Sequence, residues 1–64
     1  MPTKIINAML AKGWGYSTIA LRAKIDESRL RSGTLGRREY DRLMHVAEIE
    51  ARIDIDAVYL EGEE

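Results

Sequence analysis

Nucleophiles and general bases are scarce in this chain of 64 residues, which has no cysteine and a single histidine, His45. His45 lies between Met44 and Val46 with no nucleophile candidate beside it, so it reads as a partly exposed helical residue. Asp54 and Asp56 read as a helix cap and solvated charge, not as a general acid/base pair. There is no glycine-rich phosphate loop, and one histidine without cysteine cannot build a metal site. No enzymatic activity, metal or small-molecule cofactor is therefore expected. The chemistry that remains is that of arginine and lysine. Residues 1–43 hold nine cations against four anions, 9 − 4 = +5; residues 44–64 hold one against seven, 1 − 7 = −6; together they give the net charge of −1. A split of this size implies a basic face for a polyanion and an acidic end directed away from it.

The elements that would position those cations follow from apolar spacing. Ile5, Ile6, Met9 and Leu10 form one stripe of a short helix between Lys4 and Lys12, with Gly13 marking its end and Trp14 packing where helices meet. A second helix runs from about Tyr16 to Lys24, led by Gly15 or Ser17, with Ile19, Ala20 and Ala23 inward. Ala20 has the small side chain that a close helix crossing needs. Ile25 reads as an apolar plug in a tight turn, Asp26 as the N-cap of a third helix, and Leu30 as that helix's buried anchor. The third helix breaks at Gly33 to Gly36. A long fourth helix is predicted from Arg37 to Ile53, with Tyr40, Leu43, Met44, Ala47 and Ala51 on one face and Val46, Ile49 and Ile53 on another. Asp54 caps a last turn or two carrying Ile55, Val58, Tyr59 and Leu60. The expected fold is all-α: a compact bundle of four to five short helices, one domain over residues 1–64.

The segment Tyr16–Leu35, YSTIALRAKIDESRLRSGTL, resembles the helix-turn-helix of the lambda repressor, Cro and XRE-type regulators. Ile19, Ala20, Ala23, Ile25 and Leu30 carry the likeness, because two short, steeply crossed helices share one core at that spacing. The flanking KGW, RLMHVA and IDIDAVYLEGEE segments extend it over nearly the whole chain. Lys24 and Gly33 depart from the family pattern, which has glycine and an apolar residue there. A left-handed lysine would cost about 1 kcal/mol, so the turn is expected to take another form, and Gly33 is expected to shorten the third helix.

The resemblance implies sequence-specific binding of a double-stranded DNA operator, with a recognition helix over residues 27–33 in the major groove. Carried over by position, Glu27, Ser28, Arg29 and Ser32 would reach base edges: Arg29 as a bidentate donor to guanine, Glu27 as an acceptor from cytosine N4, the serines as adaptable partners. Tyr16, Arg31, Arg37 and Arg38 would contact phosphates. A homodimer is expected, two recognition helices lying about 34 Å apart in successive grooves. Its interface would use Val46, Ile49, Ile53, Val58, Tyr59 and Leu60, with residues 54–64 as dimerization segment and acidic tail. The small size is similar to Cro-type repressors of phages. The alternative is a helical protein-interaction module, such as an antitoxin or a phage-encoded inhibitor, working through the acidic half. No apolar run approaches the 18 or so residues of a membrane span, and the opening residues lack a secretory leader's apolar stretch, so the cytoplasm is the expected compartment.

Overall fold

The structure, a computed structural model, describes residues 3–62, and side chains from Thr3 to Val58. Five α-helices follow one another: α1 (Thr3–Ala11), α2 (Tyr16–Ala23), α3 (Glu27–Ser32), α4 (Arg37–His45) and α5 (Ile55–Gly62), with a π-helical segment, Val46–Glu50, continuing α4. The all-helical bundle expected from the sequence is what forms, and none of its described helices is long and apolar enough to cross a membrane.

Short helices need defined ends, and the first three end in the same way. The N–H of Gly13 reaches the carbonyl of Leu10 and that of Trp14 the carbonyl of Met9; at α3 the N–H of Gly33 reaches Leu30 and that of Thr34 reaches Arg29. Both pairs are the double hydrogen bond that closes a helix through a left-handed residue, and Gly13 and Gly33 have φ of 94° and 75°. At the end of α2 the left-handed position is occupied by Lys24, φ 57° and ψ 49°, whose N–H reaches the carbonyl of Ala20. The expectation that lysine would force another turn is thus corrected. The left-handed turn is kept because Ile25 must drop into the core directly after it, where it is 6% exposed.

The core is built from every helix up to the π segment: Ile5, Ile6 and Met9 from α1; Ile19, Ala20 and Ala23 from α2; Ile25 from the turn; Leu30 from α3; then Leu43, Val46, Ala47, Ala51 and Ile53. No polar or charged side chain is buried among the described residues. Trp14 and Leu35 are half-buried against this core, as are Ile55 and Val58 of α5, which packs on α1.

The long fourth helix expected to reach Ile53 stops at His45. Its α-helical pattern fails for a geometric reason: Val46 and Ala51, five residues apart, would point about 140° apart on a helix of 3.6 residues per turn. The i→i+5 bond from the N–H of Ala51 to the carbonyl of Val46 turns both inward, and both are buried. Arg52, with φ 57°, then reverses the chain, and the N–H of Ile53 reaches back to Ala47. Asp54 caps α5 as the sequence predicts, its Oδ1 accepting from the N–H of Ala57 at 3.2 Å.

This geometry corrects the expected dimer face. Val46 and Ile53 are 4% and 6% exposed and belong to the core of the single chain, since the π turn and the Arg52 reversal turn them inward. Ile49 stays exposed and Val58 is half-buried against the core, while the side chains of Tyr59 and Leu60 lie outside the described residues.

Candidate nucleic-acid interface

The helices α2 and α3 are joined by three residues, Lys24–Asp26, which is the connection length of a helix-turn-helix. Ile19 and Leu30, 0% and 1% exposed, lock the two helices into one core and leave the rest of α3 turned outward. Two further contacts hold the pair against α4. Arg42 donates from Nε to the carbonyl of Ala23 at 2.9 Å and from Nη2 to that of Lys24 at 3.1 Å, so a cation from α4 closes the carbonyl end of α2. Glu39 ties α3 to the start of α4: its Oε1 accepts from Arg29 Nη2 at 2.6 Å and from the N–H of Gly36 at 2.8 Å. The Gly36 bond is half of a capping box, since glycine has no side chain with which to return it. That N–H does most to hold the Glu39 carboxyl below its ordinary value of 4.5; partial desolvation opposes it, and Arg29 and then Arg42 add to the lowering.

On the outward face of α3, each expected base-reading side chain has a local partner. Ser28 donates from Oγ to Asp26 Oδ2 at 2.7 Å. Asp26 stands at the N-cap position, but its carboxylate serves Ser28, not a helix N–H. Ser32 donates to the carbonyl of Arg29 at 3.0 Å and accepts from the N–H of Thr34 at 3.4 Å, which makes its hydroxyl part of the helix end. Glu27 pairs with Arg31 one turn later, Oε2 to Nε at 2.9 Å. The Arg31 guanidinium also lies over the ring of Tyr16, 4.5 Å from its centroid, so these two expected phosphate contacts form one stacked unit at the start of α2. Arg29 and Arg31 remain half exposed, with 49% and 58% of their side chains open to solvent.

Arg37 and Arg38 open α4, are exposed, and make no ion pair among the described residues. Cations at the positive end of a helix dipole are unfavourable, by about 0.3–1 kcal/mol each when exposed. A bound anion would reverse that sign, and the free N–H groups of the same helix end would add donors to it.

Two concavities lie on the described surface. A cleft of about 70 Å³ where α1, α2 and α3 meet is lined by residues including Thr3, Tyr16, Arg31 and Ser32, far below the few hundred Å³ of a ligand pocket. An open groove of about 320 Å³ between α2 and α4 is lined by the cations Arg22, Lys24 and Arg42, by Asp41 and His45, and by the buried Val46. Among the described residues no three of His, Cys, Asp or Glu converge on a point that could hold a metal.

Glu39 and Arg42 were not singled out by the sequence. The Gly36-x-x-Glu39 spacing is a capping signal that could have marked Glu39. Nothing in the sequence pairs Arg29 with a residue ten positions on, or Arg42 with a carbonyl nineteen positions back. Comparison with protein-family models, with curated proteins and with solved structures finds no match.

Proposed function

We propose that this chain is a sequence-specific double-stranded DNA-binding regulator of transcription, a small Cro-like repressor that lays α3 in the major groove. The observation that carries the reading is the α2–turn–α3 unit, anchored by Ile19, Ile25 and Leu30, with Arg29 and Arg31 on its open side and Tyr16 beneath Arg31. Glu27, Ser28, Arg29 and Ser32 face the bases; Tyr16, Arg31, Arg37 and Arg38 face phosphates. The ion pairs on α3 do not oppose this. Exposed pairs contribute about 0–1 kcal/mol, so Arg31 exchanges Glu27 for a phosphate at small cost. In the dimer the contact passes through Ile49 and α5, and Val46 and Ile53 support it from inside. The acidic half then points away from the DNA.

A protein-interaction module is the second reading, and the exposed Leu21 (78%) and Ile49 (55%) favour it. Single exposed apolar residues are ordinary on soluble domains, which leaves the DNA reading ahead.

Fluorescence-anisotropy titration of random-sequence duplex DNA between about 50 and 200 mM salt tests the proposal. Three phosphates held by Arg31, Arg37 and Arg38 give a log–log slope near −2.7 per protomer, or about a 40-fold loss of affinity over that range. Alanine at Arg29, Arg31, Arg37 and Arg38 together removes the binding while the fold, read by circular dichroism, stays. Absence of binding by the unmodified chain at 50 mM salt refutes the reading and leaves the protein-interaction module.

A further inference from the structure

We propose that Glu39 is a positioning residue for sequence readout: it holds the Arg29 guanidinium ready for a guanine edge and withholds its charge from phosphates. The inference rests on the DNA-binding reading above and concerns how that site tells one sequence from another.

Its support is geometric first. One Glu39 oxygen accepts from both Arg29 and the Gly36 N–H, so the carboxylate is fixed to the backbone of α4 before it touches Arg29. It is also the more enclosed partner, 21% exposed against 49% for Arg29, and therefore the fixed point about which the arginine is arranged. The neighbouring donors hold Glu39 ionised, which keeps the tether in place across the neutral range. Arg29 uses only Nη2 for this contact. A guanidinium is a rigid planar fork, so fixing one nitrogen orients the others, which are the donors a guanine O6/N7 pair requires.

The pair carries no net charge, and this separates two kinds of binding. A free arginine on the outer face of α3 would strengthen attachment to any phosphate, whatever the sequence. A tethered one adds little to non-specific attraction and contributes where its donors meet a matching base. Glu39 thus lowers non-specific affinity and raises the specificity ratio, the quantity that matters among many competing sites. Arg37 and Arg38 lack an ion-pair partner among the described residues, and Arg31 has only the open i,i+4 pair with Glu27, so these three supply the sequence-independent attraction.

Glu39→Gln isolates this role, because glutamine keeps an oxygen to accept from Gly36 and loses only the charge. The expected result is a non-specific salt slope more negative by about 0.9, so that the affinity ratio of variant to unmodified protein rises about 3.5-fold between 200 and 50 mM salt. In selection from a randomised duplex library, enrichment of guanine at one position falls about fivefold or more. Arg29→Lys is the second variant: it keeps a cation for Glu39 but lacks the fork, so the guanine preference is lost with the slope unchanged. A merely structural Glu39 would move the melting temperature, and the slope through the lost charge alone, but not the guanine enrichment, which is therefore the deciding readout. If Glu39→Gln leaves the guanine enrichment intact, the positioning role is wrong even though the protein binds DNA. If the unmodified chain binds no DNA, the functional reading itself fails and this inference with it.

Discussion

Replacing Lys24 by glycine should make the protein more stable, an outcome that follows from one backbone angle. Lys24 ends α2 with φ 57° and ψ 49°, in the position that Gly13 and Gly33 fill at the ends of α1 and α3. A side chain in the left-handed region costs about 1–2 kcal/mol, because Cβ crowds the following carbonyl. Glycine removes that cost but adds freedom to the unfolded chain, which returns about 0.4–1 kcal/mol. The difference spans about 0–1.6 kcal/mol, and its middle range is a net gain of about 0.5–1 kcal/mol. For a domain of this size each kcal/mol shifts the melting temperature by about 4–8 °C, so an increase of about 2–8 °C is expected. The Lys24 side chain is exposed, with no hydrogen bond or ion pair among the described residues to lose.

Its neighbours complicate the reading, since Arg22 and Arg42 line the same groove and removing a like charge also stabilises. Lys24→Ala is the control: it removes the same charge and keeps the Cβ, so the difference between the two variants reports the backbone alone. Urea unfolding followed by circular dichroism and by Trp14 fluorescence supplies both values, and an unchanged m confirms that the same surface is exposed. A Lys24→Gly protein no more stable than Lys24→Ala would refute the strain argument, and with it the left-handed turn between α2 and α3.

Two further perturbations follow from the contacts that hold the helix pair. Arg42→Ala removes two charge-assisted hydrogen bonds from the carbonyl end of α2 and should destabilise the fold by about 1–3 kcal/mol in urea unfolding; Arg42→Lys should recover only part of this, because a single ammonium cannot span the carbonyls of Ala23 and Lys24 as the fork does. The folded state holds the Glu39 carboxyl below its ordinary 4.5, so its contribution to stability is present above that pH and lost as pH falls through the lower folded value. Melting temperatures of the unmodified protein and Glu39→Gln should therefore converge as acidification from pH 7 protonates Glu39 below its ordinary 4.5, and a difference that stays constant would show that ionised Glu39 contributes nothing.

Much of the fold was legible because its signals are local. Glycine at positions 13 and 33 marks helix ends by its tolerance of positive φ, and Asp54 caps α5 from the residue before it. The buried set on α2 also follows from spacing, since Ile19, Ala20 and Ala23 share one face of a 3.6-residue turn, and Leu30 is the one large apolar residue of α3. The fourth helix was misjudged because periodicity assumes a uniform turn. Val46, Ala47, Ala51 and Ile53 all face the core, although a uniform α-helix would spread them over about 160°, and the π segment followed by left-handed Arg52 gathers them inward. Two residues of the expected dimer face, Val46 and Ile53, were lost to the core with it, because the wider turn and the Arg52 reversal rotate them inward.

The candidate interface divides along the same line. Residue types and order by themselves placed Arg29 and Arg31 on a short polar helix next to a basic connection, and separated a cationic half from an acidic one, because composition and helical spacing are properties of the chain. Which of those cations are held, and by what, was decided only in three dimensions. Glu39 reaches Arg29 across ten residues and Arg42 reaches the end of α2 across nineteen. Such pairings depend on how α4 and the π segment pack on α2, within the core that holds Ile19, Ala23, Leu43, Val46 and Ala47, and no periodicity along the chain encodes it.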